Sequence, residues 1–402
     1  RRLAWNGMYA ELAWECAMIP CDGLEALLVA SDGTVVRGRG AGAPGLVAGE
    51  LVFQTGMTGY QEALTDPSYA GQILIFTYPL IGNYGVGHTY NQSGRIHARA
   101  AIMRDLMSSG GHRDSHTDLD DMLRLQGIQA MWGVDTRFLV RKVRTHGVLP
   151  VALAVGTDAD LPTEDMLLSM AQGLDYGAID FVSECTSKEL IWHAPASPDG
   201  SRIALIDYGA KQSMLDRLLE RGAGVWVVPA HASADEILEL QPDGIFLANG
   251  PGDPARLDYA IAAVRELIRQ AGVPIFGICL GHQLLALASG GRTHKMRFGH
   301  RGANQPVLER DTGRLYLTTQ NHGYVVDADS LPPDYRVTHT NLNDGTMEGL
   351  AHVSLPIWSV QWHPEACPGP ADSLGLFDRF LTTVDGGRRT GVITNYELRI
   401  TG

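Results

Sequence analysis

From residue 202 onward, short apolar runs alternate with segments of helical spacing, and this order restricts the fold more than any other feature. Apolar runs predict strands that start at Arg202, Val225 and Gly244. The predicted helices between and after them are Lys211–Arg221, Ala234–Leu240 and Leu257–Gln270. Strands that alternate with helices in this way form a doubly wound, mostly parallel sheet.

The run Pro274–Gly290 places Cys279 on a sharp turn between the next strand and a helix. Gly277 and Gly281 stand two residues to either side of the cysteine, so the backbone can turn tightly and a substrate can approach the sulfur. The helix start adds partial positive charge and free N–H groups, which stabilise a thiolate or an oxyanion. A lone cysteine is most often an ordinary buried residue, but this strand-turn-helix frame predicts a nucleophile.

His363 and Glu365 follow another apolar run, Pro356–Val360, and together they supply the base that a cysteine nucleophile needs. They are two residues apart, so an extended backbone would project both side chains to one face. Glu365 would then hold one imidazole nitrogen while the other accepts the thiol proton. A surface histidine and glutamate in a turn is the alternative, but the position at the end of a core strand favours a catalytic pair.

A glycine-containing loop, Asn249–Pro254, comes directly after the apolar strand Gly244–Leu247. Open α/β sheets bind ligands at the carboxyl ends of their strands, where this loop would lie. The N–H groups of Gly250 and Leu280 could form an oxyanion hole there. Taken alone, the loop would be read as a plain turn.

The first part of the chain has a different character. Short apolar runs within Leu24–Met103 are separated by Gly and Pro and predict β-strands, and helical spacing returns at Thr117–Leu125 and Thr136–Val143. We therefore predict a β-rich, mixed-sheet domain over residues 23–155, which would hold the partner interface. A connecting segment over 156–200 and the doubly wound domain over 201–385 follow.

Composition excludes several classes of partner and cofactor. The net charge of −13 over 402 residues argues against nucleic acid and anionic membranes. No apolar run approaches ~20 uninterrupted residues, no P-loop pattern occurs, and the five cysteines form no zinc-type pairs. We therefore expect no membrane segment, no metal and no cofactor in this chain. Scattered, odd-numbered cysteines and the lack of a targeting pattern predict a cytoplasmic protein.

The motifs around Cys279, His363 and Glu365 resemble those of the triad-type (class I) glutamine amidotransferases, with these residues as nucleophile, base and orienting acid. Within that class the chain resembles the small subunits of carbamoyl-phosphate synthetase over roughly Gly23 to Val384. The segments that carry the narrower resemblance are Phe53–Glu62, Thr65–Tyr69, Thr77–Gly85, Ser201–Pro254, Lys295–His300 and Gln320–Tyr324.

The resemblance implies a site that binds L-glutamine. The residues it assigns to glutamine binding are Ser68, Gly250, Gly252, Leu280, Gln283, Asn321, Gly323 and Tyr324. Amides, backbone groups and the Ser68 hydroxyl could together bind the α-amino and α-carboxylate groups of a free amino acid. Since Ser68 belongs to the first domain, glutamine would lie near the domain interface.

The resemblance also implies a partner. Glutamine would be hydrolysed to glutamate and ammonia, and the ammonia would pass to a large synthetase subunit in a heterodimer or larger assembly. That subunit, where ATP and Mg are expected, would make carbamoyl phosphate from bicarbonate for arginine and pyrimidine synthesis. Two alternatives stay open: a free-standing glutaminase or γ-glutamyl hydrolase with the same triad, and a regulatory or scaffolding subunit with a vestigial site.

Three parts of the chain depart from the resemblance: residues 1–22, the segment Ser109–Arg113 and the extension from Gly386 to Gly402. None of them contains a residue of the predicted site. We therefore expect them to affect the termini and one contact surface.

Overall fold

A computed structural model of the chain describes residues 23–108 and 111–390. Residues 1–22 and 391–402 lie outside the described residues, and with them Cys16 and Cys21. The same holds for Ser109 and Gly110 of the divergent segment. Within the described part, no helix combines the length and the apolar character needed to cross a membrane.

The first domain is built around a closed, seven-stranded barrel in which the strand order is β1-β2-β8-β6-β4-β3-β9. Its neighbouring strands pair in both parallel and antiparallel directions. The elements in chain order are β1 Glu25–Ala30, β2 Val35–Gly42, β3 Gly45–Gln54, α1 Tyr60–Thr65, β4 Gln72–Phe76, β5 Leu80–Ile81, β6 Ala100–Ile102, β7 Asp105–Leu106, α2 Leu119–Leu125, β8 Gln129–Trp132, α3 Thr136–His146 and β9 Leu149–Gly156. The short strands β5 and β7 form a separate pair.

Alternation along the barrel strands divides their side chains between the interior and an outer layer. In β4, Ile73 and Ile75 join the interior cluster, to which α3 contributes Leu139. Leu74 and Phe76 point the other way, into the cluster covered by α1 and α2. The barrel therefore has apolar packing on both sides of this strand, which explains its continuous apolar run.

The segment between the domains contains α4 Glu164–Gly173, α5 Phe181–Cys185 and β10 Ile191–His193. Helix α4 packs on the outside of the barrel, where Leu167 and Ala171 meet Leu27 and Ala152. Strand β10 pairs antiparallel with a strand of the second domain. The segment thus contributes structure to both domains.

The second domain contains a ten-stranded sheet in the order β10-β12-β11-β13-β14-β19-β18-β17-β15-β16. Its elements are β11 Arg202–Asp207, α6 Gln212–Glu220, β12 Gly224–Pro229, α7 Ala234–Glu239, β13 Gly244–Leu247, α8 Asp258–Gln270, β14 Ile275–Ile278, α9 Leu280–Ala288, β15 Thr293–Glu309, β16 Leu315–Val326, β17 Tyr335–Asn341, β18 Met347–His352, β19 Ile357–Val360 and α10 Gly375–Thr390. Strands β12, β11, β13, β14 and β19 are parallel, and the remaining pairs are antiparallel.

Helices cover both faces of the parallel strands. Ile203 and Leu205 of β11 join the cluster covered by α6 and α10, whereas Ala204 and Ile206 join the cluster beneath α7, α8 and α9. A strand covered on both faces is apolar through its middle, as β11 is from Ile203 to Ile206. The fold class predicted from the sequence, a β-rich domain followed by a doubly wound sheet, is confirmed. The predicted helices occur within three residues of their expected bounds.

An irregularity in β15 joins the two domains. The register of the β15–β16 ladder shifts across residues Met296–Gly299, which we call the β15 bulge. Within it, Phe298 stacks on Phe53 of β3 with ring centroids 6.2 Å apart. The backbone N–H of Val148, just before β9, donates to the carbonyl of Arg297 at 2.9 Å. The second domain thereby contacts the end of the barrel.

Candidate active site

Cys279 occupies the turn between β14 and α9 in a conformation rare for a residue with a side chain, with φ 54° and ψ −103°. Its side chain is buried. The turn leaves no space for side chains on its flanks, because a Cβ on Gly277 would lie 2.8 Å from the Gly281 backbone. A Cβ on Gly281 would lie 2.2 Å from the carbonyl oxygen of Leu247. The two glycines therefore permit the turn that presents the sulfur.

His363 and Glu365 lie just beyond β19, which is next to β14 in the sheet. Nδ1 of His363 is 2.7 Å from Oε1 of Glu365, and both side chains are buried. Nε2 of His363 has no hydrogen-bond partner among the described residues. The Cys279 thiol donates to the carbonyl of Asn321 at 3.8 Å, yet it is close enough to raise the pKa of His363. Nε2 is therefore available to a proton from the sulfur.

Lys211 extends this arrangement, and the sequence analysis did not identify it. Its Nζ lies 3.0 Å from Oε1 of Glu365 and donates to the carbonyl of Ala366 at 2.8 Å. Burial alone would lower the pKa of Lys211, but the charges of Glu365 and Asp66 raise it. Lys211 stands at the N-cap of α6, where a cation opposes the helix dipole. That mismatch was a signal in the sequence that the lysine has another role.

The ionisation of the other two groups follows from the same contacts. Burial alone would lower the pKa of His363, but Glu365 and Cys279 raise it to about 10. Burial alone would raise the pKa of Glu365, but Lys211 and His363 lower it to about 2. Near neutral pH the carboxylate is therefore charged, and His363 holds any proton it receives.

A pocket between the two domains opens beside the Cys279 sulfur. It is lined by seven of the eight residues that the sequence analysis assigned to glutamine binding: Ser68, Gly250, Gly252, Gln283, Asn321, Gly323 and Tyr324. Leu280, the eighth, does not line the pocket but follows Cys279 directly as the first residue of α9. His363 and Glu365 lie behind the pocket wall and do not line it.

Two backbone donors border the sulfur. The N–H of Leu280 has no carbonyl to meet inside its own helix, because it belongs to the first turn. Gly250 packs so closely that a Cβ there would lie 2.3 Å from the carbonyl oxygen of Tyr208 and 2.7 Å from the Leu280 side chain. A glycine at this position lets the loop after β13 approach the start of α9.

Polar contacts across the domain interface hold Ser68 at the pocket. The amide of Asn249 donates to the Ser68 hydroxyl at 2.9 Å. The amide of Asn321 donates to the carboxylate of Asp66 at 3.2 Å, and the same carboxylate accepts from the Ser68 backbone N–H at 2.9 Å. Asp66 and Asn249 were not identified from the sequence as site residues. Their role depends on contacts between positions about 180 residues apart.

Gln283 has a fixed amide orientation. Its Nε2 donates to the carbonyl of Tyr324 at 2.8 Å and to Oε1 of Gln361 at 3.1 Å. Because a backbone carbonyl can only accept, the nitrogen must point that way. Gln283 therefore has its oxygen left to accept a hydrogen bond in the pocket.

Charged side chains that the sequence analysis did not assign to the site also line the pocket: Glu50, Lys295 and Arg301. Nζ of Lys295 lies 2.5 Å from Oε1 of Glu50, so this ion pair crosses the domain interface. Nζ also lies 5.6 Å from the centre of the Tyr176 ring. Lys295 belongs to a segment that carried the family resemblance, but no local pattern predicted its partner.

A buried polar cluster of His300, His322 and Glu348 adjoins the pocket, which His322 also lines, and its possible ligand atoms lie within 4.8 Å of one another. Its imidazoles already have protein partners. Nε2 of His300 is 2.9 Å from the carboxylate of Asp344, and Nδ1 of His322 donates to the carbonyl of Tyr324 at 2.8 Å. These contacts hold the strand that carries Asn321 and Gly323.

Comparison with known proteins assigns the chain to a family. Residues 204–383 match the family model of class-I glutamine amidotransferases, and residues 28–153 match that of the carbamoyl-phosphate synthase small chain, CPSase domain. The carbamoyl phosphate synthase small chain of Symbiobacterium thermophilum is 47% identical over 88% of this chain and 97% of its own. The chain belongs to the carbamoyl phosphate synthase small chain family.

Other members of the family support the same assignment. The carbamoyl phosphate synthase small chain of Methanocaldococcus jannaschii is 47% identical over 90% of this chain and 99% of its own. The small chain of Salmonella typhimurium is 43% identical over 91% of this chain and 98% of its own. Membership in the carbamoyl phosphate synthase small chain family confirms the resemblance and the class of enzyme predicted from the sequence, a subunit with a glutamine amidotransferase domain.

Proposed function

We propose that this chain hydrolyses L-glutamine with a Cys279–His363–Glu365 triad and delivers the ammonia to a large synthetase subunit that makes carbamoyl phosphate. One observation carries the proposal. An imidazole whose Nδ1 is held by a buried carboxylate at 2.7 Å has a free Nε2 beside a cysteine on a strained turn. The pocket at that cysteine is lined with amide and backbone groups suited to an amino acid.

In the first step, the thiol proton passes to Nε2 of His363 and the sulfur attacks the side-chain amide carbon of glutamine. The carbonyl oxygen becomes an oxyanion, which the N–H groups of Leu280 and Gly250 stabilise. The C–N bond then breaks as His363 returns its proton to the nitrogen, so ammonia leaves and a γ-glutamyl thioester stays on Cys279. The raised pKa of His363 favours keeping the proton until the leaving group takes it.

In the second step, water gives a proton to the same imidazole and attacks the thioester carbon. The C–S bond breaks, glutamate leaves and the thiol is restored. Ammonia in bulk water would be largely protonated and unreactive near neutral pH. Direct transfer to the large subunit, where ATP, Mg and bicarbonate would bind, avoids that loss.

The test is Cys279→Ser in a complex reconstituted with the large synthetase chain of the same organism. Glutamine-dependent synthesis of carbamoyl phosphate is expected to fall by several orders of magnitude, as when the nucleophile of a triad is removed. Synthesis from added ammonia should be unchanged. Cys185→Ser is the matched control, because Cys185 lies in α5 outside the pocket, and it should preserve both activities.

Loss of both activities in Cys279→Ser would count against the proposal. A free-standing glutaminase would give a different pattern: the chain would not co-purify with the large subunit, and its glutamine turnover would not change when that subunit is added.

A further inference from the structure

Arg301 lies two residues beyond the β15 bulge and lines the same pocket as Cys279. Its side chain is buried, with only 4% of the residue exposed. Neither the local sequence nor the family resemblance assigned it to glutamine binding. Its position raises the question of what balances its charge.

Within the described residues, no carboxylate forms an ion pair with Arg301. Nη1 donates to the carbonyl of Phe298 at 2.5 Å, and the buried Nε has no hydrogen-bond partner. Glu50, the one acidic residue among the described residues that line the pocket, is already paired with Lys295 at 2.5 Å. A guanidinium has five N–H donors and stays charged, so one left buried with a single neutral acceptor is costly without an anion.

Gly323 keeps the guanidinium accessible from the pocket. Nη2 of Arg301 lies 3.3 Å from the place where a Cβ on Gly323 would be. Gly323 itself lines the pocket, and it has no side chain to cover the guanidinium. Gln283 also lines the pocket and has its amide oxygen free to accept. The pocket therefore offers an unpaired cation and an acceptor.

We infer that Arg301 is a specificity-determining residue that binds the α-carboxylate of glutamine, an inference that rests on the proposed function. The α-ammonium group would donate to Oε1 of Gln283. A free amino acid has these two charges on one carbon, whereas a glutamine residue inside a peptide has neither. The guanidinium fork matches a carboxylate with two parallel hydrogen bonds, which a lysine cannot reproduce.

The experiment compares L-glutamine with L-glutaminamide, in which the α-carboxylate is replaced by a neutral carboxamide, using the reconstituted complex. For Arg301→Met, KM for glutamine is expected to rise roughly 10- to 100-fold, the range for a lost charge-assisted hydrogen bond. The kcat should change much less. For L-glutaminamide, kcat/KM should stay within a few-fold of wild type, so the preference of the enzyme for the carboxylate disappears.

Arg297→Met is the matched control, because Arg297 is an exposed arginine of the β15 bulge that does not line the pocket. It should leave both KM values unchanged. Synthesis from added ammonia reports whether each variant is folded and assembled. If Arg301→Met fails that check, Arg301→Lys takes its place, because it keeps the charge and should lose only part of the preference.

Equal losses of kcat/KM for L-glutamine and L-glutaminamide in Arg301→Met would overturn the inference. Arg301 would then have a structural role through its hydrogen bond to the Phe298 carbonyl. An unchanged KM for glutamine would overturn it as well. If the wild-type protein hydrolyses glutamine and Arg301→Met gives either of these results, the inference fails but the proposed function stands. Wild-type protein that does not hydrolyse glutamine refutes the proposed function itself.

Discussion

At the scale of single residues, the site depends on charges that are buried and that balance one another. Lys211, Glu365 and His363 are almost completely shielded from solvent, and each contacts the next at hydrogen-bond distance. Moving such charges out of water is costly unless each has a partner. The cluster therefore holds the imidazole in place only as long as it is complete.

Replacing Glu365 with Gln should lower the free energy of unfolding by about 3–5 kcal/mol, because it leaves the charge of Lys211 buried without its carboxylate. Adding Lys211→Met should recover part of that loss, since the uncompensated charge is gone. Urea unfolding of wild type, both single variants and the double variant gives the coupling free energy between Glu365 and Lys211. Purely additive losses would show that the two side chains do not depend on each other.

At the scale of elements, the β15 bulge interrupts the β15–β16 ladder and also contacts the first domain. Phe298 packs against the barrel, and the hydroxyl of Thr55 donates to the backbone carbonyl of Arg301 at 3.0 Å. Lys295 precedes the bulge and Arg301 follows it, and both line the pocket. The contact between the domains therefore sets the position of the pocket's cationic side chains.

Phe298→Ala should lower the free energy of unfolding by about 1–3 kcal/mol, since it removes most of a partly buried aromatic ring. KM for glutamine should rise as well, because Lys295 and Arg301 lose their support. Leu315→Ala, on an exposed apolar residue of edge strand β16, is the control and should change neither quantity by much. A loss of stability with an unchanged KM would mean that the bulge joins the domains without positioning the pocket.

At the scale of the whole molecule, buried ionisable groups make stability depend on pH. Burial and the nearby His339 lower the pKa of His282 to about 3, and burial and Arg95 lower the pKa of His97 in the first domain to about 4. Their ordinary pKa is 6.5. Between these values, the unfolded chain binds protons that the folded chain does not, so stability falls as the pH falls.

We therefore expect the free energy of unfolding to decrease from pH 6.5 toward pH 3, by about 1 kcal/mol per pH unit for each such histidine. Glu365 adds to the loss below its ordinary pKa of 4.5, down to about 2. His363 acts in the opposite direction, because its contribution is complete below pH 6.5 and is lost as the pH rises through about 10. Urea unfolding at pH 7, 5.5 and 4.5 measures the acid slope, and His282→Asn should reduce it. A flat profile would contradict the buried, neutral state of His282.

Local sequence determined the parts of this protein that depend on neighbours in the chain. The alternation of strands and helices, the turn at Cys279 and the proximity of His363 to Glu365 involve few residues and short separations, so periodicity and glycine placement were sufficient to predict them. Seven of the eight residues assigned to glutamine binding line one pocket, but that assignment came from the family resemblance and not from any local pattern.

Tertiary structure alone decided the closure of the barrel, the antiparallel strands β15–β18 and the charges around the site. Lys211 meets Glu365 across 154 positions of the chain, and Lys295 meets Glu50 across 245. Nothing near these residues in the sequence indicates the partner, because a buried charge is stabilised by whichever opposite charge the fold brings beside it. Arg301 follows the same rule, with the carboxylate of the substrate proposed as its partner.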